Sequence, residues 1–308
     1  MLDRKRYLIF HLNRLELEII MDYKLLIANM SVILRINDDI SWDKEAGQFI
    51  EAFDLLNENK ECFRIFSFDV VDILPGIDRE KLWENEICSV YIADGREVRY
   101  YESAITKIPY AISIDYSEQK QKILILRSWM QQHTGTKYLF NTIALERCLI
   151  KEGKLIFHTC YIRYRKEAIL FTGFSGVGKS TQGALWEKYS QAEIVNGDRC
   201  ILGYENNKWY AYGVPFSGTS HICKNIQTPI RAIVFLRQDS KENIKQIRPI
   251  VAAKLLWEQM SVNQWNKEFV TKTWDILSRI ITEIPIYEFS CTKEEQAVGY
   301  LHQALFGE

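Results

Sequence analysis

Apolar residues recur along much of this chain with a period of two, in short runs separated by turn residues, so the first half reads as a series of β-strands. Runs over residues 23–28, 31–35, 62–70, 88–93, 98–102, 110–114 and 122–126 predict strands, and Asp94-Gly95 between two of them is a hairpin signal. Residues 42–55 fit a helix. From residue 136 the period lengthens, and Leu139, Ile143, Leu145, Leu149 and Ile150 supply the apolar side of a linking helix over 136–151. A long strand over 154–164 follows, then a second, fully apolar one over 168–172. Only Arg165-Lys166-Glu167 separates the two, too few residues for a helical crossover, so they should pair antiparallel.

The rest alternates. A helix with Ala184, Leu185 and Tyr189 on its apolar side should end near Tyr189-Ser190, and a strand over 193–196 brings the chain back. Runs 200–204 and 209–212 flank Asn206-Asn207 as a hairpin. A strand over 231–236, a charged loop over 238–243, and helices over 249–260 and 266–283 come next, with Trp257 and Trp274 assigned to the core. A last strand over 284–289 precedes Thr292-Lys293-Glu294-Glu295, which reads as a capping box opening a final helix to Phe306. The predicted fold class is α/β with α+β character. A β-rich accessory or recognition domain would occupy residues 1–130, and a second domain with C-terminal helices residues 131–308. Residues 1–20 fit either a leader from an early start codon or an extra strand over 7–11.

Composition narrows the class of partner. At 308 residues, 47% hydrophobic and 26% charged, the chain is long enough for two sizeable cores. Its net charge of −1 offers no field toward nucleic acid or an anionic membrane. Seven scattered cysteines, none in Cys-x-x-Cys spacing, fit buried thiols in a reducing compartment better than zinc or disulfides. No apolar run approaches the ~18 residues of a membrane span. The N-terminus is too charged for a signal peptide. These readings predict a cytoplasmic protein.

The chemistry concentrates after the second apolar strand. Gly173-Phe174-Ser175-Gly176-Val177-Gly178-Lys179-Ser180-Thr181 fits the phosphate-loop pattern Gly-x-x-x-x-Gly-Lys-Ser/Thr at every fixed position, between a strand and a helix. Glycine permits the positive φ that turns successive N–H groups inward as an anion nest. Lys179 would add a positive charge for the outer phosphates, and Ser180 a hydroxyl for Mg²⁺. Residues 173 and 175–181 are therefore the candidate nucleotide site. Asp198 follows a predicted strand end, where a carboxylate faces the phosphates, and is the candidate metal ligand and catalytic carboxylate. Residues 213–221 form a polar, glycine-flanked loop that either lines the site or merely connects. Arg199, Lys224 and Arg231 are candidate cations for transition-state charge, with nothing in the sequence to choose among them.

The hairpin into the loop, the wording Gly-x-Ser-Gly-x-Gly-Lys-Ser-Thr, the nearby Asp198 and the hairpin after it resemble the HPr kinase/phosphorylase and phosphoenolpyruvate carboxykinase superfamily over about residues 155–236. The resemblance implies a mixed sheet under the loop and a site histidine on the preceding strand, where His158 stands. Read from the residues alone, His158 shares its strand face with Ile156, Cys160 and Ile162, the pattern of a core histidine. The family usually has two adjacent aspartates where this chain has Gly197-Asp198, so one carboxylate must act alone, His158 must assist, or catalysis is lost. An Arg-Gly signature of true HPr kinases has no counterpart here, which argues against HPr as substrate. The organisation is similar to HPr-kinase-like proteins of peptide-tailoring clusters. The expectation is an ATP- and Mg²⁺-dependent kinase acting on a serine hydroxyl of a peptide or small protein, with Asp198, His158 and Lys179 catalytic. Homo-oligomerisation is a further expectation from the resemblance. A small-molecule kinase, or a non-catalytic nucleotide sensor or scaffold, are the alternatives.

Overall fold

The computed structural model describes residues 7–8, 19–38, 42–51, 63–117, 119–133, 135–218 and 220–307. Over these the chain is mixed α/β, with two mixed sheets and seven helices, and it divides into two compact units, Met1–Cys148 and Leu149–Glu308.

The first unit is built on nine strands: β1 (Tyr7–Leu8), β2 (Ile19–Ile27), β3 (Met30–Ile36), β4 (Arg64–Val71), β5 (Lys81–Glu84), β6 (Cys88–Ala93), β7 (Arg96–Glu102), β8 (Pro109–Ser117) and β9 (Lys120–Leu126). Their spatial order is β1-β2-β3-β4-β9-β8-β7-β6-β5, with β4 parallel to both β3 and β9 and the other pairs antiparallel. Asp94 and Gly95 both take positive φ in the turn between β6 and β7, as a two-residue hairpin requires. Edge strand β5 escapes the periodic pattern because it is mostly exposed on both faces. The helix expected over 42–55 is, among the described residues, only a 3₁₀ turn at Ala46–Phe49, and residues 52–55 lie outside them. The linking helix breaks into α2 (Lys137–Phe140) and α3 (Leu145–Lys151), preceded by α1 (Arg127–Gln132). At the break Thr142 Oγ1 turns back to the Leu139 carbonyl at 2.8 Å.

The second unit carries β10 (Leu155–His158), β11 (Cys160–Tyr164), β12 (Glu167–Thr172), β13 (Glu193–Asn196), β14 (Arg199–Glu205), β15 (Lys208–Tyr212), β16 (Gln227–Gln238), β17 (Asn243–Gln246) and β18 (Ile286–Cys291). Their order is β10-β14-β15-β16-β12-β11-β13, with β18 added to β16 and β17 to β18. β11 and β12 form the expected antiparallel hairpin, while β12 runs parallel to β16 and β16 parallel to β18. The long strand expected over 154–164 is interrupted at Thr159. On one side of it β10 pairs with β14; on the other β11 pairs with β12 and β13.

Both faces of this sheet are covered, which explains the unbroken apolar runs of β12 and β16. Ala168, Leu170, Ile233 and Phe235 pack beneath α5 (Pro249–Trp257) and α6 (Lys267–Glu283) through Leu256, Phe269, Leu277 and Ile280. Ile169, Phe171, Val234 and Leu236 pack beneath α4 (Lys179–Ser190) and α7 (Glu295–Phe306) through Trp186, Val298, Leu301 and Leu305. The buried face of α4 is Gln182, Gly183 and Trp186, not the expected one, since Ala184 and Tyr189 are exposed. Gly183 allows the helix to close on Cys160 and Ile162, and that contact sets its rotation. Trp257 and Trp274 stack at 4.6 Å, but Trp274 is exposed, so the pair caps the α5–α6 seam instead of filling the core. The capping box is also replaced: Glu294 is the N-cap of α7, and Thr292 Oγ1 donates to Glu242 Oε1 at 2.6 Å.

Candidate functional site

Parallel pairing of β12 with β16 points their carboxyl ends the same way, and a crevice outside the carboxyl ends of parallel strands is where α/β sheets hold ligands. The chain leaves β12 at Thr172 directly into residues 173–178 and enters α4 at Lys179. Gly173, Gly176 and Gly178 all take positive φ (133°, 78° and 107°), and Gly178 is the left-handed N-cap of α4. Side chains at these positions would be strained. The N-terminus of a twelve-residue helix therefore faces the concavity with its unpaired N–H groups.

Lys179 is 8% exposed, and its Nζ donates to the carbonyls of Gly173 at 2.8 Å and Phe174 at 3.2 Å. The ammonium is thus folded back over its own loop. Burial lowers its pKa from the ordinary lysine value, and the charge of Asp198 offsets this only in part.

Asp198 and His158 arrive from the other side. Asn196, fully buried at the end of β13, accepts the backbone N–H groups of Asp198 and Arg199 on its Oδ1, each at 2.9 Å, and donates from Nδ2 to the Phe216 carbonyl at 2.9 Å. This Asx turn fixes the direction in which Asp198 leaves the strand. Sequence reasoning missed Asn196, although Asn followed by Gly and Asp is turn grammar that could have revealed it. Thr159 N–H donates to the Asp198 carbonyl at 2.9 Å, and its Oγ1 to the Phe171 carbonyl at 2.8 Å. Thr172 Oγ1 returns a bond to the His158 carbonyl at 2.8 Å. The break at Thr159 thus ties the end of β10 to the end of β12. It also takes His158 out of the apolar face it would share with Cys160 in a continuous strand: its side chain is 39% exposed. His158 Nε2 lies 3.5 Å from Asp198 Oδ1, and Arg199 Nε forms an ion pair with Asp198 Oδ2 at 3.1 Å.

The result is one open cavity of about 310 Å³ lined by His158, Ser175, Gly176, Gly178, Lys179, Ser180, Thr181, Gly197, Asp198 and Gly218. Gly173 and Val177 shape the loop without lining it; Val177 N–H bonds the Phe174 carbonyl at 3.3 Å. Of the 213–221 loop, Gly218 reaches the cavity, and residues 213–216 are buried. Of the candidate cations, Arg199 lies beside Asp198. Lys224 is paired with Glu193 at 3.0 Å, and Arg231 donates to the Leu305 carbonyl near the opposite end of β12.

Gly197 is required here for a steric reason. A Cβ at this position would lie 2.4 Å from Ser220 Oγ and 2.7 Å from Ser220 Cβ, so no side chain fits without moving the 213–221 loop. A second acid beside Asp198 would meet Ser220, which would have to shift to admit it.

No family model matches the chain, and no curated protein matches it. Among solved structures it is similar to the Hpr(Ser) kinase/phosphatase from Coxiella burnetii, at 13% sequence identity and a TM-score of 0.28 over 49% of this chain and 93% of that one. The likeness is remote. Among the described residues no helix is long and apolar enough to cross a membrane.

Proposed function

We propose that this chain is an ATP- and Mg²⁺-dependent kinase that transfers the γ-phosphoryl group to a hydroxyl, with a serine of a peptide or small protein as the acceptor class. The observation that carries the reading is the convergence on one cavity of the glycine loop at the N-terminus of α4, the buried Lys179, the Ser180 and Thr181 hydroxyls and the Asp198–His158 pair. Phosphoryl transfer asks a protein mainly for positioning and charge, and these are the groups that supply them.

The roles follow from the chemistry of each group. The N–H groups at the start of α4 and the Lys179 ammonium hold the phosphates. Ser180 and Asp198 offer hard oxygen donors in the same cavity, a set that suits Mg²⁺ rather than a softer metal. Among the described residues no group of three or more His, Cys, Asp or Glu side chains could hold a metal alone, so Mg²⁺ here would rely on nucleotide oxygens and water. Bound Mg²⁺ would neutralise charge on the phosphates. Asp198 accepts the acceptor's hydroxyl proton, with His158 Nε2 beside it as the second base in reach. One specific observation favours a second reading, a nucleotide sensor without transfer: Gly197 leaves Asp198 as the single carboxylate.

The test is incubation with γ-labelled ATP and Mg²⁺, offering serine-containing peptides, with K179A as control. Label on peptide that depends on Lys179 supports the kinase. ATP binding without transfer to peptide, protein or small alcohols favours the sensor, and absence of nucleotide binding overturns both.

A further inference from the structure

The phosphate loop is held from outside by one side chain that the motif does not contain. Gln238, the last residue of β16, donates from Nε2 to the Gly176 carbonyl at 3.1 Å. Topology brings it there. Thr172 pairs in register with Phe235, the Leu236 carbonyl lies 3.4 Å from the position a Cβ would take on Gly173, and Gln238 is two residues further along the same strand. The end of β16 is itself anchored, since Gln238 pairs with Cys291 of β18 and Asp239 N–H donates to the Cys291 carbonyl at 3.1 Å. A second amide works on the adjoining end of β18. Gln182, 2% exposed on α4, donates from Nε2 to Cys291 Sγ at 3.2 Å and to the Thr292 carbonyl at 3.1 Å. Loop and helix are therefore both tied to the β16–β18 margin.

We infer that Gln238 is a positioning residue for the anion site proposed above, and the inference rests on that reading. Gly176 sits at φ 78°, in the left-handed region. The orientation of its peptide group determines where the following N–H groups aim. By fixing the Gly176 carbonyl, the Gln238 amide holds the peptide whose Val177 N–H bonds the Phe174 carbonyl at 3.3 Å, and with it the turn that leads into the N–H groups at the start of α4, before any anion arrives. That is preorganisation: it lowers the ordering cost of binding and touches no phosphate itself.

The test measures Kd for inorganic pyrophosphate and for MgATP by calorimetry in the wild type, Q238A, Q238M and K179A, with melting temperatures alongside. Q238M keeps length and apolar contact but has no donor. The expected result is an affinity loss of about two- to fivefold, equal in Q238A and Q238M and equal for both ligands, as befits one exposed neutral hydrogen bond. Melting temperatures of the unliganded variants should match the wild type. Unchanged affinity in both Gln238 variants, while K179A loses binding, overturns the latch and leaves the site reading intact. A loss confined to Q238A, or one matched by a fall in melting temperature, makes the role packing and also overturns it. No binding of either ligand by the wild type overturns the site reading itself.

Discussion

Two of the buried cations, Arg99 of the first unit and Lys179 of the second, are treated in opposite ways, whereas Lys154, 7% exposed, is paired with Glu205 at 2.9 Å. Arg99 is 7% exposed and Lys179 is 8% exposed, so both would suffer from desolvation. Arg99 donates to Glu97 at 2.7 Å and to Glu146 at 2.8 Å, and Arg147 beside it pairs with Asp115 and reaches Glu97 at 3.7 Å. Burial works against the Arg99 charge, but Glu146 and Glu97 outweigh it and its pKa is raised. Lys179 donates to two neutral carbonyls, and its pKa is lowered by burial that Asp198 offsets only in part. The first cation is electrically satisfied within the fold. The second is short of negative charge, and it stands at a helix N-terminus facing an open cavity. A polyphosphate would supply what the fold withholds.

The strongest way to break this comparison is to remove the satisfied cation. R99A removes the buried guanidinium that Glu97 and Glu146 share, leaving Arg147 3.7 Å from Glu97, and should cost about 3–5 kcal/mol of stability, measured by chemical denaturation. A loss below 1 kcal/mol would mean that the network is solvated and the contrast false. In the second unit the corresponding effect is on reaction, not folding. D198N should lower the rate of phosphoryl transfer by about 10²- to 10⁴-fold while sparing most nucleotide binding, read from single-turnover kinetics and calorimetry. Equal rates in D198N and wild type would remove Asp198 from the chemistry. H158A should reduce transfer with little change in melting temperature, because the side chain is 39% exposed at the cavity. A large fall in melting temperature without a kinetic defect would restore the core reading.

Packing gives a smaller effect. G197A forces a methyl group into Ser220 and should destabilise the unit by about 1–3 kcal/mol, with S220G relieving part of the loss. Additive losses in the double variant would show that the two positions are not in contact.

The finest distinction is in pH dependence. A lysine whose folded pKa is lowered binds fewer protons folded than unfolded, so its penalty is fully present below the folded value. It fades as pH rises toward the ordinary value. Unliganded wild type should therefore gain stability with rising pH across that interval relative to K179M, which lacks the group. Parallel stability curves would contradict the lowered pKa.

The loop was legible because its glycines and Lys179 are local requirements of one backbone shape, and the β11–β12 hairpin because three residues cannot cross a sheet. The divided strand was not, because Thr159 breaks it with bonds to Phe171 and Asp198, residues distant in sequence. Its consequence, His158 at the cavity, was open to a core reading for the same reason. The face of α4 was misread since periodicity weighs Ala184 and Tyr189 by hydrophobicity, whereas Gly183 decides the rotation by allowing contact with Cys160. Thr292 looked like a cap until Glu242, fifty residues earlier, proved to be its partner. Gln238 carries no signal strong enough to name a role without the neighbours that tertiary folding brings.

The most direct test of the charge deficit is an NMR titration of the Lys179 side chain, with and without pyrophosphate, assigned through K179R. The Lys179 pKa should lie below the ordinary lysine value in the free protein and rise on binding. A free-state value at or above the ordinary one, or no response to pyrophosphate, would contradict the charge deficit.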